Sequence, residues 1–294
     1  MAFRLKTDES FSDGIRRIVV EQLKKAADQL SNPDKVDRGV HEARKGIKKV
    51  RSVLRLLQPE MLSASSAENG QLRTLARGLS GLRDDAVMLE VFDLLRQQRG
   101  DRFAAIRQGL EKSQRDAKQV IDVAKTFRET ALGLRTVRRR VENWPVPQAL
   151  DDVMASGFET TYQRGKKALR KALESPVPDH LHQLRKRVKE HRYHLSLLSV
   201  LPEEAKRLQD LHKLEILLGD DHNLSVLRER LDQNTALYGD PLEAGAFLAL
   251  LTRRQRQLQA LALPLGRRLY AVEDANRLMH SLMPGVVHNS RRTA

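Results

Sequence analysis

Residues 41–57 read HEARKGIKKVRSVLRLL, a histidine followed by six lysine or arginine residues. At 100° per residue, the histidine and five of these basic residues fall within about 120° of one another on a helical wheel. This first basic stripe comprises His41, Arg44, Lys45, Lys48, Arg51 and Arg55. The opposite side carries Val40, Ala43, Ile47, Val50, Leu54 and Leu57. The pattern predicts an amphipathic helix with one face in a core and a ladder of positive charge on the other.

A second stretch repeats the first one. Residues 182–198, HQLRKRVKEHRYHLSLL, align with His182 on His41 and give a second basic stripe of His182, Arg185, Lys186, Lys189 and Arg192. The next helical segment repeats as well, because QLRTLARGLSGLRDDAVML at residues 71–89 matches DLHKLEILLGDDHNLSVL at residues 210–227. Two matches in the same order predict an internal duplication with approximate twofold packing.

The repetition bears on function. Like charges three or four residues apart repel, and a single basic helix in a basic protein is typical of a solvated surface. Two such ladders brought together by pseudosymmetry would line a groove or channel of concentrated positive potential, which suits a linear polyanion. Arg offers a planar fork for phosphate oxygens and Lys a mobile point charge, so the mixture fits phosphate groups.

The whole chain has helical periodicity. Apolar residues recur at three- and four-residue steps, and no stretch alternates convincingly with a period of two, so we expect an all-α protein. The predicted helices are 10–30, 35–57, 66–80, 83–99, 101–126, 128–142, 148–174, 179–199, 202–218, 223–237, 241–263 and 266–282. The segment WPVP at residues 144–147 divides the chain into two predicted helical-bundle halves, 8–145 and 146–284.

Composition points to a basic intracellular protein. The 294 residues carry a formal net charge of +15, which favours a polyanionic partner. The absence of cysteine excludes disulfides, thiolate metal sites and cysteine nucleophiles. The first ten residues lack the apolar stretch of a signal peptide, and no run is long enough to span a membrane. We therefore expect a cytoplasmic protein without a membrane partner.

Motifs for catalysis, metals or cofactors are missing from the sequence. It contains neither a phosphate-binding G-x-x-x-x-G-K-[ST] loop nor a G-x-S-x-G nucleophile elbow. HEARK begins like a zinc-protease motif, but Lys45 stands where the second histidine should be. The segment Asp220-Asp221-His222 is more typical of a helix cap than of a cation site. The sequence predicts a binding protein with no catalytic residues, no metal and no cofactor.

Two other binding functions use the same basic surface. Nucleic acid ranks second as a ligand, because its phosphates fit the charge while only 4% of the residues are aromatic, which leaves few platforms for base stacking. Tyr193 is the single aromatic residue within a stripe. A structural scaffold that meets acidic proteins or polymer granules is the third alternative.

These segments resemble the CHAD domain, the conserved histidine α-helical domain. The shared motifs are H-x-x-R-K-x-x-K-K-x-R-x-x-L at residues 41–54, H-x-x-R-K-x-x-K-x-x-R-x-x-L at residues 182–195, and the L-S-G-L-R-D and L-G-D-D-H-N turns. The resemblance covers residues 8–284. It implies two bundle-like halves around a basic central channel that binds inorganic polyphosphate without consuming it, with phosphate or sulfate as substitutes in crystals and an association with polyphosphate granules.

The resemblance also implies a set of ligand residues. The two stripes, with Arg55 continuing the first, would form the ligand face. In the preceding helices, Lys25 of the first half and Arg164 and Lys167 of the second are expected to face the same channel. Ser196 replaces the counterpart of Arg55, which predicts an asymmetric channel.

Some positions depart from the family pattern or stay open. Ser80 stands where the family has glycine, and His222-Asn223 occupies the position of Arg83-Asp84, so the role of this turn is open. His41 and His182 are either phosphate ligands or structural histidines. His191 falls on the core side of its helix, and His194, His212 and His222 form no cluster in the sequence.

Overall fold

A computed structural model describes residues 3–6, 8–57, 62–82, 84–96, 102–120, 122–144, 151–198, 205–233 and 238–271. Within these ranges the chain forms α-helices, one short 3-10 turn and no β-strand, which confirms the all-α prediction. The helices are α1 (Phe11–Asp28), α2 (Val36–Leu56), α3 (Leu62–Gly78), α4 (Asp84–Arg96), α5 (Ala104–Val120), α6 (Val123–Glu142), α7 (Asp151–Glu174), α8 (Pro178–Leu198), α9 (Ala205–Gln233) and α10 (Pro241–Leu269).

Two predicted helix breaks are wrong. The described parts of the predicted helices 202–218 and 223–237, residues 205–218 and 223–233, belong to the single helix α9, which continues through Gly219-Asp220-Asp221-His222. Burial of Leu218, Asp221 and Leu224 along one side keeps this segment helical, and a glycine inside a helix costs only about 1 kcal/mol. The predicted break before residue 266 is absent too, because α10 continues through Pro264, flanked by the buried residues Ala262 and Leu265.

Several predicted features lie outside the described residues. These are Pro145, Pro147 and the proposed boundary between the halves, Arg83, and the end of the predicted helix 266–282 beyond residue 271. The division into residues 8–145 and 146–284 stays a prediction.

The buried side chains form two clusters. The larger cluster joins α1, α2, α3, α6, α7 and α8 with the first part of α9 and the end of α10. The smaller cluster joins α4 and α5 to the second part of α9 and the first part of α10, with Phe92, Phe103 and Phe247 in ring contact. Helices from both predicted halves therefore share buried surface.

Small residues allow α2 to approach its neighbours closely. A Cβ atom at Gly46 would lie 3.1 Å from Ala26 Cβ on α1, and one at Gly157 on α7 would lie 2.2 Å from the Leu56 carbonyl oxygen. On the side of α8, His194 Nε2 donates a hydrogen bond of 2.8 Å to the Ser52 carbonyl oxygen. These contacts hold α2 against α1, α7 and α8.

The N-terminal segment lies along α8. The Leu5 amide donates to the Leu197 carbonyl oxygen at 3.1 Å, and the Phe3 ring meets the Tyr193 ring edge-on at 6.0 Å between centroids. Phe3 and Leu5 are both 8% exposed, so this segment shields the side of α8 that carries Tyr193. Among the described helices, none combines the length and apolar character needed to cross a membrane.

Candidate functional site

The two basic helices line two adjoining cavities between α2 and α8. The first has a volume of about 540 Å³ and the second about 560 Å³. Both are lined by Arg44 and Lys48 from α2, by Arg185, Lys189 and Tyr193 from α8, and by His222 from α9. Because the cavities share these walls, we treat them as one basic groove with two parts.

Each part adds its own residues. The first cavity is completed by Arg51, Arg55, Asn69, His182, Lys186, Arg187 and Glu190. The second cavity is completed by His41, Lys45, Val87, Met88, Arg192, His212, Glu215, Asn223 and Val226. The sequence-predicted stripes, including Arg55, are thus all brought to this basic groove.

Three predicted ligand residues do not line either cavity. Lys25 lies on α1, and Arg164 and Lys167 lie on α7; all three are exposed. On α1 the core is reached by Leu23, Ala26 and Ala27, which turns Lys25 outward. The resemblance placed these residues on the helices that precede the stripes, and the packing of each helix decides which face points to solvent.

Two buried or nearly buried carboxylates offset part of the charge. Among the residues that the structure describes, ten Lys or Arg and two Glu line the two cavities together. Glu190 pairs with Arg55 on α2 and with Arg187 Nη1 at 3.0 Å, while Glu215 on α9 pairs with Arg192 and with Lys189 Nζ at 2.8 Å. The other Lys and Arg residues of the groove pair with neither Glu190 nor Glu215, so the basic groove keeps a strong excess of positive charge.

Burial and crowding weaken the proton affinity of the basic side chains. The pKa of Lys48 falls to about 7, first through desolvation and then through Lys189, Arg44 and Arg185. Desolvation also lowers the pKa of Arg185 and of Lys189, and Glu215 opposes both shifts. A bound anion would relieve these costs, because it supplies the opposite charge that the folded chain supplies only in part.

Some buried nitrogens of the groove have no hydrogen-bond partner among the described residues. They are the guanidinium donors Arg44 Nη1 and Arg185 Nε and the ring nitrogen His182 Nδ1. Buried polar groups of this kind are normally satisfied by a partner, and an N–H of a cationic guanidinium is best satisfied by an anionic oxygen. Arg185 lies over Gly219, whose missing Cβ would stand 3.4 Å from Arg185 Nη2.

The histidines divide into two groups. His182 and His222 stack with ring centroids 4.1 Å apart and face the first cavity. His191 is buried with Nδ1 3.2 Å from the Tyr270 hydroxyl, and buried His194 bonds to α2. His41 lies at the exposed rim of the second cavity, near Glu42.

Several groove residues were missed by sequence reasoning. His222, Glu215, Asn223 and His212 come from α9, which was predicted to be broken at this point. A continuous helical wheel over residues 205–233 was the signal that could have found them. Asn69 on α3 accepts a hydrogen bond from Arg51 Nε at 2.8 Å and carries no such signal.

A metal site finds no support in the described part of the chain. No group of three or more His, Cys, Asp or Glu side chains there is arranged to hold a metal ion. Asp221, one residue of the segment weighed as a cation site, accepts a 2.9 Å hydrogen bond from Gln259 Nε2 on α10.

Comparisons with known proteins agree with the architecture. A family model described as the CHAD domain matches residues 17–232. The crystal structure of the CHAD domain from the plant Ricinus communis superposes with a TM-score of 0.64 at 18% identity, covering 94% of this chain and 96% of that chain. A structure of PptA from Streptomyces chartreusis gives a TM-score of 0.60 at 14% identity, covering 90% of this chain and 100% of that chain. Among curated proteins, no match is found.

Proposed function

The chain belongs to the CHAD domain family, and from this premise we propose that it binds inorganic polyphosphate along the basic groove without cleaving it. One observation carries the proposal: α2 and α8 present ten Lys or Arg side chains around two adjoining cavities, to which the described residues add two Glu, one on α8 and one on α9. A chain of phosphate groups offers one negative charge at every unit and oxygen acceptors in all directions. It therefore matches a row of cations from two helices better than a compact anion does.

The shape and lining of the groove support a linear ligand. The two cavities together extend from the C-terminal part of α2, at Arg55, to its N-terminal part, at His41. Those two residues are fourteen positions apart, which corresponds to roughly 21 Å along a helix at 1.5 Å per residue. A ligand with many phosphate units can occupy both parts at once.

The lining also supports binding over catalysis. Arg and Lys stabilise phosphoryl-transfer transition states, but such reactions also need a metal ion and a group that positions the attacking nucleophile. The two carboxylates that line the described groove, Glu190 and Glu215, are both occupied by ion pairs. Cytoplasmic location and granule association remain predictions.

Calorimetry with long-chain polyphosphate tests the proposal. We expect binding to wild-type protein and loss of at least tenfold in affinity for the double variant Lys48→Glu and Lys186→Glu, which reverses one charge on each basic helix. Lys186 is preferred over Lys189 for this purpose, because reversal of Lys189 would also repel its partner Glu215. The control is Lys112→Glu with Lys125→Glu, which changes the net charge equally at exposed positions of α5 and α6.

Three outcomes would contradict the proposal. Equal losses in the groove and control variants would show a general charge effect. Equal affinity for single-stranded DNA of matched charge at physiological salt would favour the nucleic-acid alternative. Shortening of polyphosphate chains during incubation with pure protein and Mg²⁺ would overturn the non-enzymatic assignment.

A further inference from the structure

The rings of His182 and His222 stack on each other in the basic groove. His182 projects from α8 and His222 from α9, with an angle of 31° between the ring planes. Both rings line the first cavity, and His222 also lines the second. Within the described ranges, the buried Nδ1 atom of His182 has no hydrogen-bond partner. We propose that this histidine pair is a subsite that binds a phosphate oxyanion together with a proton.

The surroundings of the pair are mainly cationic. Lys48 faces it from α2, Arg185 and Lys186 face it from α8, and Asp179 on α8 is the acidic residue that acts on His182. Glu215 and Asp220 on α9 act on Arg185. With more positive than negative groups at this place, a proton on either ring is unfavourable before an anion binds.

The proton affinity of both rings reflects this setting. Burial, followed by Lys186 and Arg185, lowers the pKa of His182 to about 4. Burial, followed by His182 and Arg185, lowers the pKa of His222 to about 3. Both rings are therefore neutral at neutral pH, and each then offers one N–H donor and one nitrogen lone pair.

A phosphate oxygen changes this balance. It is repelled by a nitrogen lone pair and attracted by a second N–H, so its arrival raises the pKa of the ring that it contacts. Two imidazolium rings at 4.1 Å would repel each other, and the pair should therefore accept one proton in total. Binding that takes up a proton becomes tighter as pH falls, by up to about tenfold per pH unit for one proton.

This inference rests on the proposed anion binding and adds its regulation by pH. Binding takes up a proton at pH values between the low pKa of the histidine pair in the free protein and its raised pKa in the complex. At about pH 5.5, Lys48 with its pKa of about 7 is already protonated before binding, so it contributes nothing to the uptake there. The histidine pair is still neutral at that pH, so its proton uptake can be measured there without a contribution from Lys48.

Calorimetry with tripolyphosphate at about pH 5.5 in buffers of different ionisation enthalpy measures the number of protons exchanged. We expect wild-type protein to take up roughly half to one proton more than the double variant His182→Gln and His222→Gln, because a single substitution would leave one ring able to accept the proton. Any proton exchanged by the ligand itself is common to both proteins and cancels in this difference. His180→Gln is the control, because His180 bonds to the Ser175 carbonyl oxygen and lines neither cavity.

A second measurement needs no variant. The nitrogen chemical shifts of labelled histidines in wild-type protein report ring protonation directly, and we expect one ring of the pair to become protonated when tripolyphosphate is added. Equal proton uptake by wild type and the double variant, or rings that stay neutral in the complex, would overturn the inference and leave the proposed function standing. Absence of tripolyphosphate and polyphosphate binding to wild type would overturn both.

Discussion

Arg55 on α2 and Glu190 on α8 form an ion pair across the two basic helices, with only 3% of the Glu190 side chain exposed. Glu190 also accepts a hydrogen bond from Arg187. A buried carboxylate between two guanidinium groups fixes the spacing of the helices at this end of the basic groove. It also withholds Arg55, a predicted ligand residue, from full interaction with an anion.

Replacing Glu190 with Gln should separate these two effects. The neutral amide keeps the shape but removes the charge that Arg55 and Arg187 share, so we expect a loss of about 1–3 kcal/mol in the free energy of unfolding. The groove becomes more positive by one charge, and affinity for polyphosphate should rise about two- to fivefold. Urea unfolding and calorimetry measure the two quantities.

The control for this substitution is Glu174→Gln at the exposed end of α7. Glu174 pairs with Arg170, and both side chains are about two-thirds exposed, so stability should change by less than about 0.5 kcal/mol. A Glu190→Gln protein with unchanged affinity would show that Arg55 does not contact the ligand.

Lys48 should make the ligand-free protein less stable at neutral pH than at high pH. Its pKa is lowered from 10.5 to about 7 on folding, so between these values the unfolded chain binds more protons than the folded one. Stability contributed by this group therefore rises with pH across that window, and the penalty is complete below about pH 7. We expect Lys48→Met to be more stable than wild type at about pH 6.5, with an advantage that shrinks by roughly 1–3 kcal/mol at about pH 9.5.

Urea unfolding at the two pH values gives this difference. Lys112→Met, at an exposed position of α5, is the matched control and should show no pH-dependent change in stability relative to wild type. A constant difference between Lys48→Met and wild type would mean that Lys48 stays protonated in the folded protein throughout.

The amphipathic pattern of α2 predicted this helix accurately, because the periodicity that defines its apolar and basic faces lies within its own sequence. The predicted range 35–57 differs by one residue at each end from Val36–Leu56, and its apolar face is fully buried. The same argument located the stripe of α8. The residues of other helices that contact these stripes depend on how α9 packs. Neither stripe specifies that packing.

The turn prediction at Gly219 failed for a different reason. Glycine and aspartate both favour helix ends. This local preference does not depend on whether the neighbouring residues are buried. Here Leu218 and Leu224 pack in the core on either side, and their burial decides the conformation. The histidine pair depends on this outcome, because His222 meets His182 only when α9 is continuous.

Gly157 should be intolerant of any side chain. An added Cβ would stand 2.2 Å from the Leu56 carbonyl oxygen, a backbone atom that cannot move without shifting α2 or α7. We expect Gly157→Ala to lower the free energy of unfolding by about 1–3 kcal/mol. Gly70→Ala in α3 is the control, since nothing lies within 4 Å of its added Cβ, and it should raise stability by about 0.5–1 kcal/mol. Equal effects of the two substitutions would contradict the close packing of α7 on α2.

His194 should make the protein sensitive to mild acid. It is buried, donates through Nε2 to the Ser52 carbonyl oxygen, and its pKa is lowered to about 4, with desolvation as the largest cause. Because the folded-state pKa lies below the model-peptide value of 6.5, the unfolded chain binds more protons between about pH 6.5 and 4. The stability linked to this group is complete above about pH 6.5 and is lost as the pH falls towards 4.

Replacing His194 with Gln removes the titrating ring and keeps an N–H donor for the Ser52 carbonyl oxygen. We expect the variant to be less stable than wild type at about pH 7, by roughly 1–2 kcal/mol, because the smaller amide packs less well. Between about pH 6.5 and 4.5 its stability should fall less steeply than that of wild type, with a difference of up to about 1.4 kcal/mol per pH unit. Urea unfolding along this pH series measures both slopes. Parallel slopes would show that His194 does not titrate on unfolding, and the acid sensitivity would then belong to other groups such as His191, whose pKa is also lowered by burial.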